Sequence, residues 1–313
     1  MSGFYQNGYR VPMFRDRRAT SIENDALRVT VLHEGGHIAQ ILDKRTGINP
    51  LWIPPWPSIE PSAIRRGAPP GVRRRRGRVA ARRHHGPQPV SRHLRRALDR
   101  RSRRWPAGAR RGVRPPGSRS TPDANQIAMN ALLPAAQLRV ERRIVLADRV
   151  VHVHERVENL SATDRPIGWT QHVTLGPPFL EKGATEFRAS ATRSRVFEGV
   201  FGLDDTLVAG ADFDWPLAPR LSGGSEDLAH LHDRATVERL HRASHGPGAR
   251  RGVLRGVLTA AALAFGYVWR RADFPWMGIW DENHSRTAPP WNGRTLTRGL
   301  SSACRRCRKR GGR

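Results

Sequence analysis

The sequence predicts an all-β protein, and three observations carry that expectation. Short runs alternate apolar with polar side chains, the period of a half-buried strand. Gly, Pro, Asn and Asp clusters separate these runs and close turns. No helical periodicity of convincing length appears outside three basic segments.

The first element is a hairpin from Ile22 to Leu51. Leu27, Val29 and Val31 alternate with Arg28 and Thr30, Gly35-Gly36 supplies the turn, and Ile38 to Leu42 returns before a second turn at 43–47. Within it, His33-Glu34-Gly35-Gly36-His37 matches the zinc-protease string HExxH letter for letter. That chemistry needs both histidines on one face of a helix. Two adjacent glycines cost about 2 kcal/mol of helix propensity, and strand-like runs flank them, so a turn is expected here. Residues 51–62, LWIPPWPSIEPS, form a Pro/Trp-rich loop of the kind that walls a sugar site.

An arginine tract follows. Residues 65–119 hold 20 arginines, no lysine and one acid, Asp99, for a net charge of +19. The tail 301–313 adds six basic residues and no acid. The whole chain of 313 residues carries +28, so removing both segments leaves +3, an ordinary near-neutral protein. The expectation is therefore one domain over 22–300, interrupted by a disordered basic segment at about 65–120 and followed by a basic tail at 301–313. Taken at face value, the tract is an RNA-binding arm, and nucleic acid would be a partner through 65–119 alone.

Out-of-frame reading of GC-rich coding sequence also yields Arg, Pro, Gly and Ala. His84 to Arg110 can be back-translated so that the frame one base later reads ITGHNLCLDIFGGPSTEEAAAGLPVH. The same operation turns Leu231 to Thr259 into FTTAPPSSAYTAHLMDPARDAAFFVAFS, and Leu300 to Lys309 into EFGVSPMPE when read from its third base. Frame-shifted segments are the preferred expectation, and the coding DNA decides it.

Strand-like sequence resumes at about Ile127. Leu138 and Val140 alternate with Arg139 and Glu141, a turn falls at 147–149, and Val151, Val153 and Val157 alternate with His152, His154 and Arg156. His152 and His154 then share a wet face about 7 Å apart. In Pro166 to Gly183, Ile167, Trp169, Gln171 and Val173 alternate with Gly168, Thr170, His172 and Thr174. His172, between Thr170 and Thr174, can stand in a polar concavity and move protons near neutrality. Thr185 to Ala189 and Arg195 to Phe201 are further strands, and Gly266 to Trp280 is expected to be one strand bent at Pro275.

Two cysteines, Cys304 and Cys307, provide no disulfide framework. The first residues lack the apolar core of a signal peptide, and Gly256 to Trp269 falls short of the roughly 20 residues of a membrane span. A cytoplasmic protein without membrane contact is expected.

The residues now resemble a known group. LRVTVLHEGGHIAQILDKRTGINPLW, RPIGWTQHVTLG and FPWMGIWDENHSRTAPPWNGRTLTRG are similar to segments of the galactose mutarotase-like group, which includes the aldose 1-epimerases. The resemblance implies a large antiparallel β-sandwich with a sugar cleft on one sheet. It implies an acidic histidine that protonates the sugar ring oxygen while a glutamate takes the anomeric proton, without metal or cofactor. His172 matches the family's catalytic histidine. Gln171 and Thr174-Leu175-Gly176 depart from the family pattern around it. The family's glutamate position, after Arg298-Gly299, holds Leu300-Ser301-Ser302, and a second family histidine would fall in the arginine tract. Glu282 is the candidate substitute base, with Asp281 beside it. Thr170, Asp281 and Arg286 are candidate hydrogen-bonding groups for a sugar, and Trp169, Trp280 and Trp291 candidate stacking platforms.

Overall fold

The computed structural model describes residues 5–6, 9–10, 12–58, 60–61, 124–198, 206–231, 237–245 and 248–304. The arginine tract, most of the basic tail and two of the three hidden-frame segments, apart from residues 300–304, lie outside them.

The described chain is built from antiparallel strands. In order they are β1 (Tyr5–Gln6), β2 (Tyr9–Arg10), β3 (Met13–Phe14), β4 (Arg17–Glu23), β5 (Leu27–Leu32), β6 (Ile38–Asp43) and β7 (Gln126–Leu133). Next come β8 (Leu138–Ala147), β9 (Val150–Asn159), β10 (Trp169–Leu175), β11 (Thr185–Ala189), β12 (Ala191–Val196) and β13 (Asp212–Phe213). The last seven are β14 (Leu217–Pro219), β15 (Ser225–Asp227), β16 (Val237–His245), β17 (Arg251–Leu258), β18 (Leu263–Arg270), β19 (Trp276–Asn283) and β20 (Leu296–Cys304). Among the described residues no helix is long and apolar enough to cross a membrane.

A six-stranded sheet in the order β10-β20-β19-β16-β12-β13 packs against a three-stranded sheet, β11-β17-β18. Alternation explains the contact. Leu175, Leu300, Met277, Ile279 and Ala243 point inward from the large sheet and meet Phe187, Leu254, Leu258, Leu263 and Trp269 from the small one. A second core joins β4 and β5 to β7 and β8 through Ile22, Val29, Val31, Ile127, Ile144 and Leu146. Ile38 and Ile41 on β6 touch both cores and tie the layers together.

Several elements differ from their sequence-based boundaries. Gly266–Trp280 is two strands in two sheets, because the turn after Arg270 and the missing amide of Pro275 end one ladder and carry the chain across the sandwich. The basic tail begins later than expected, since Ser301–Cys304 continue β20 opposite β10. Part of the second hidden-frame segment, 237–245 and 251–258, forms β16 and β17 as it stands, with Ala243, Leu254 and Leu258 in the core. The HExxH string is a hairpin turn: His37 C=O accepts from Leu32 N–H at 2.9 Å, which closes β5 onto β6.

Gly252 on β17 lies beneath the indole of Trp269, where a Cβ would sit 2.3–2.5 Å from ring atoms. Replacing it with alanine forces the buried indole or the strand to move, a change that costs about 1–3 kcal/mol. Gly252→Ala is therefore expected to unfold at lower urea concentration than the parent chain. An unchanged midpoint in equilibrium denaturation would refute this packing.

Candidate functional site

The site is built on the open face of the six-stranded sheet. His172 on β10 lies opposite Ser301 on β20, and Ser301 lies opposite Gly278 on β19. Period-2 alternation places Thr170, His172, Thr174, Gly299, Ser301, Gly278 and Trp280 on that face. Leu175, Ile279, Arg298 and Leu300 turn into the core.

His172 is solvent-accessible but held at both ring nitrogens. Nδ1 is 2.6 Å from Ser301 Oγ, and Nε2 is 3.2 Å from Thr174 Oγ1. Surrounding protein strips water from the ring, which favours the neutral form and lowers its pKa below the ordinary 6.5. Gly299 completes the floor. A Cβ there would lie 3.0 Å from Trp280 Cε3 and 3.1 Å from His172 Cε1, so only glycine lets indole and imidazole lean over the same strand.

One end of the floor is walled by aromatics. The Arg286 guanidinium lies between Trp280 and Trp291, 5.2 and 5.4 Å from their ring centroids. Trp56 packs edge-on to Trp291 at 6.3 Å, and Trp52 to Trp56 at 5.5 Å. Trp52 is anchored beside β10, its amide donating to Thr174 C=O at 2.8 Å. The Pro/Trp-rich loop is thus brought to the same end of the sheet as the 284–294 loop, more than 220 residues later in the chain.

The other sequence candidates fall elsewhere. Glu282 is fully buried, and its carboxylate accepts from Ser285 N–H, Ser285 O–H and Arg286 N–H at 2.7–3.1 Å. It stands four residues along β19 from Gly278, about 13 Å at a strand's rise, and two strands across from His172. The two groups cannot act on the same C1–O5 unit of one sugar ring, so Glu282 caps a turn at this position. Asp281 points into the core and forms a bidentate pair with Arg298, both bonds 2.7 Å. Trp169 lies on the reverse face of β10, where its indole N–H donates to Glu155 at 3.0 Å. Thr170, Trp280, Trp291 and Arg286 do share the His172 side.

Sequence reading passed over Glu155 and Arg142. Each stands in an otherwise apolar row: Glu155 with Val151, Val153 and Val157, Arg142 with Leu138, Val140, Ile144 and Leu146. That break in alternation is the signal, and the register makes them direct cross-strand partners. His33 and Glu34 are engaged locally, by Thr20 Oγ1 at 2.8 Å and Arg18 Nη2 at 2.9 Å. His152 and His154 stack on one another, centroids 6.3 Å apart. Among the described residues no group of three or more His, Cys, Asp or Glu side chains is arranged to hold a metal ion.

No family model matches the chain, and no curated protein matches it. Two solved structures are similar to it, both distantly. One is a galactose mutarotase-like protein from Lactobacillus casei ATCC 334, at 14% identity over 91% of this chain and 87% of that one, with a TM-score of 0.41. The other is a galactose mutarotase related enzyme from Lactobacillus acidophilus, at 11% identity over 94% and 88%, with a TM-score of 0.49.

Two outcomes are expected. Asp281→Ala leaves Arg298 charged and unpaired in the core, and should destabilise the fold by about 3–5 kcal/mol; a loss below 1 kcal/mol in urea denaturation would contradict the geometry. His172 should titrate below 6.5 in a histidine NMR experiment. Because its folded pKa is depressed, the unfolded chain binds the proton more readily, so stability rises with pH. The contribution of neutral His172 is full above about pH 6.5 and is lost as pH falls through 6.5 toward the folded-state value. His172→Ala should flatten that part of the stability profile.

Proposed function

We propose that this chain is a carbohydrate-binding protein of aldose 1-epimerase-like chemistry, with His172 as its acid and an aldose as its ligand. The observation that supports this best is the floor at Gly299. There a bare backbone position lets an imidazole and an indole close over the same strand and sets a proton-donating ring beside an aromatic face. Aromatic faces take the C–H face of a sugar while hydroxyls find polar partners at its edge, and Thr170, Thr174, Ser301 and Arg286 surround this floor. The segments quoted above that resemble the galactose mutarotase-like group contain His172, Trp280, Trp291 and Arg286.

The chemistry follows from proton balance. Protonated His172 gives its proton to the ring oxygen as the C1–O5 bond breaks. A base removes the proton of the anomeric hydroxyl, the open-chain aldehyde rotates about C1–C2, and ring closure reverses both transfers. A lowered pKa makes the imidazolium a stronger acid and reduces its population at neutral pH. The base is the weak member. On β10, β20 and β19, no carboxylate stands on the open face within two residues of the His172 register, and Ser301 occupies the place beside the acid. The chain as it stands is therefore expected to bind an aldose and to interconvert its anomers little faster than solution does.

Polarimetry of freshly dissolved aldoses tests this. Ser301→Glu restores a carboxylate beside His172 and should raise the rate about 10²-fold, a gain that the further change His172→Ala abolishes. Titrating aldoses against tryptophan fluorescence should give a saturable change that Trp280→Ala removes. No saturable response to any aldose or phosphorylated aldose would overturn the carbohydrate reading. Equal rates in Ser301→Glu with and without His172 would remove His172 from the mechanism.

A further inference from the structure

β10, which carries His172, is an outer strand of its sheet. One side pairs along its whole length with β20. On the other side, the contacts among the described residues gather at the far end: the Leu51–Leu175 bridge and the exchange between Thr174, Gly176 and the 50–52 segment. Outer strands held on one side only are the first to fray. Nearer His172, the contacts of β10 among the described residues beyond β20 include side-chain bonds from β9.

Glu155 provides the hold. One of its carboxylate oxygens accepts from both Trp169 Nε1, at 3.0 Å, and Gln171 Nε2, the residues three and one before His172. The other accepts from Arg142 Nε at 2.6 Å and Nη2 at 2.5 Å. The remaining arm of Arg142, Nη1, donates to Gly36 C=O at 2.7 Å, in the turn that presents His37. A charged pair inside two apolar rows thus joins three separate pieces of chain: β10, the β8–β9 hairpin and the β5–β6 turn. Charge-assisted bonds of this kind are about twice as strong as neutral ones and carry fixed geometry.

We propose that the Arg142–Glu155 pair is the positioning device of the site, locking the back of β10 to the 33–37 turn so that the strand carrying His172 is held in place against the hairpin that carries His37. Trp169, read from sequence as a sugar platform, becomes part of this anchor. His37, in that turn, is the titratable side chain that reports on the link: loss of water around its ring, and then the charges of Arg17, Arg142 and His172, lower its pKa. Tyr267 is the further titratable group on the Glu155 side, its phenol pushed up chiefly by burial and also by the Glu155 charge. The inference rests on His172 being the site's acid, yet its test reads histidine environments, so absence of turnover does not count against it.

Histidine Cε1–H NMR titrations of the full chain decide it. In His172→Ala the His37 midpoint should rise by about 0.3 pH unit, because a neighbouring positive charge is gone. In Glu155→Gln, which keeps size and can still accept from Trp169 and Gln171 but loses the charge that holds Arg142, the His172 midpoint should move and the His37 response to His172 should vanish. Glu155→Asp should recover part of both. A His37 midpoint that is the same with and without His172 overturns the coupling of the turn to β10. Unaltered His172 and His37 midpoints in folded Glu155→Gln overturn the positioning role. Should Glu155→Gln fail to fold, Glu155→Asp decides the positioning role by the same two midpoints, and unaltered values there overturn it.

Discussion

The guanidinium of Arg298 has no exposure to solvent, and the face that carries the site depends on where it is held. Asp281 meets it directly across the β19–β20 ladder with two bonds of 2.7 Å, while Leu228 C=O accepts at 3.0 Å and His230 C=O at 3.3 Å. Its flat face covers Phe187 of the opposite sheet at 4.5 Å. A charge this deep is tolerable only when its donors are satisfied in a geometry that admits no alternative. Sliding β20 by one residue would put Arg298 on the open face and Gly299 in the core. The floor between His172 and Trp280 would then disappear. The pair therefore acts chiefly as a register lock, and the open face inherits its order from the buried one.

Arg142 and Glu155 repeat the device in another place. Both pairs interrupt apolar rows, both are cross-strand neighbours, and both spend their remaining donors on backbone carbonyls of a distant segment. One sets the register of the central strands; the other holds the outer strand that bears the imidazole. In between lies the chemistry: a partly desolvated histidine, two hydroxyls and a bare glycine. What this arrangement lacks is a carboxylate beside Ser301, and the two acids nearest in sequence are committed elsewhere, Asp281 to Arg298 and Glu282 to the turn after β19.

Local pattern made several elements legible. The hairpins 27–43 and 138–159 follow from strict alternation with a turn between, and β11 coincides with its expected limits, because period-2 burial and turn chemistry are properties of adjacent residues. His172 was legible for the same reason, as a histidine between two threonines on a polar row. The run 266–280 was not, since its aromatics suit a strand in either layer and only packing decides where one sheet ends and the other begins. Trp169 was legible as a large aromatic but not as an anchor, because its partner Glu155 is 14 residues earlier on a different strand.

The sequence by itself determined the all-β class, the first hairpins, the turn at the HExxH string and the polar row of β10, each written in neighbours a few residues apart. Only the tertiary structure decided that Asp281, Glu282 and Trp169 do not stand with His172. It alone brought Trp52 and Trp56 to Trp291, and the 33–37 turn to Arg142. The physical reason is that such partners meet through sheet register and buried charge pairing, which couple residues on different strands, from 13 to more than two hundred positions apart, and leave no periodic trace beyond a single charge where an apolar side chain was due.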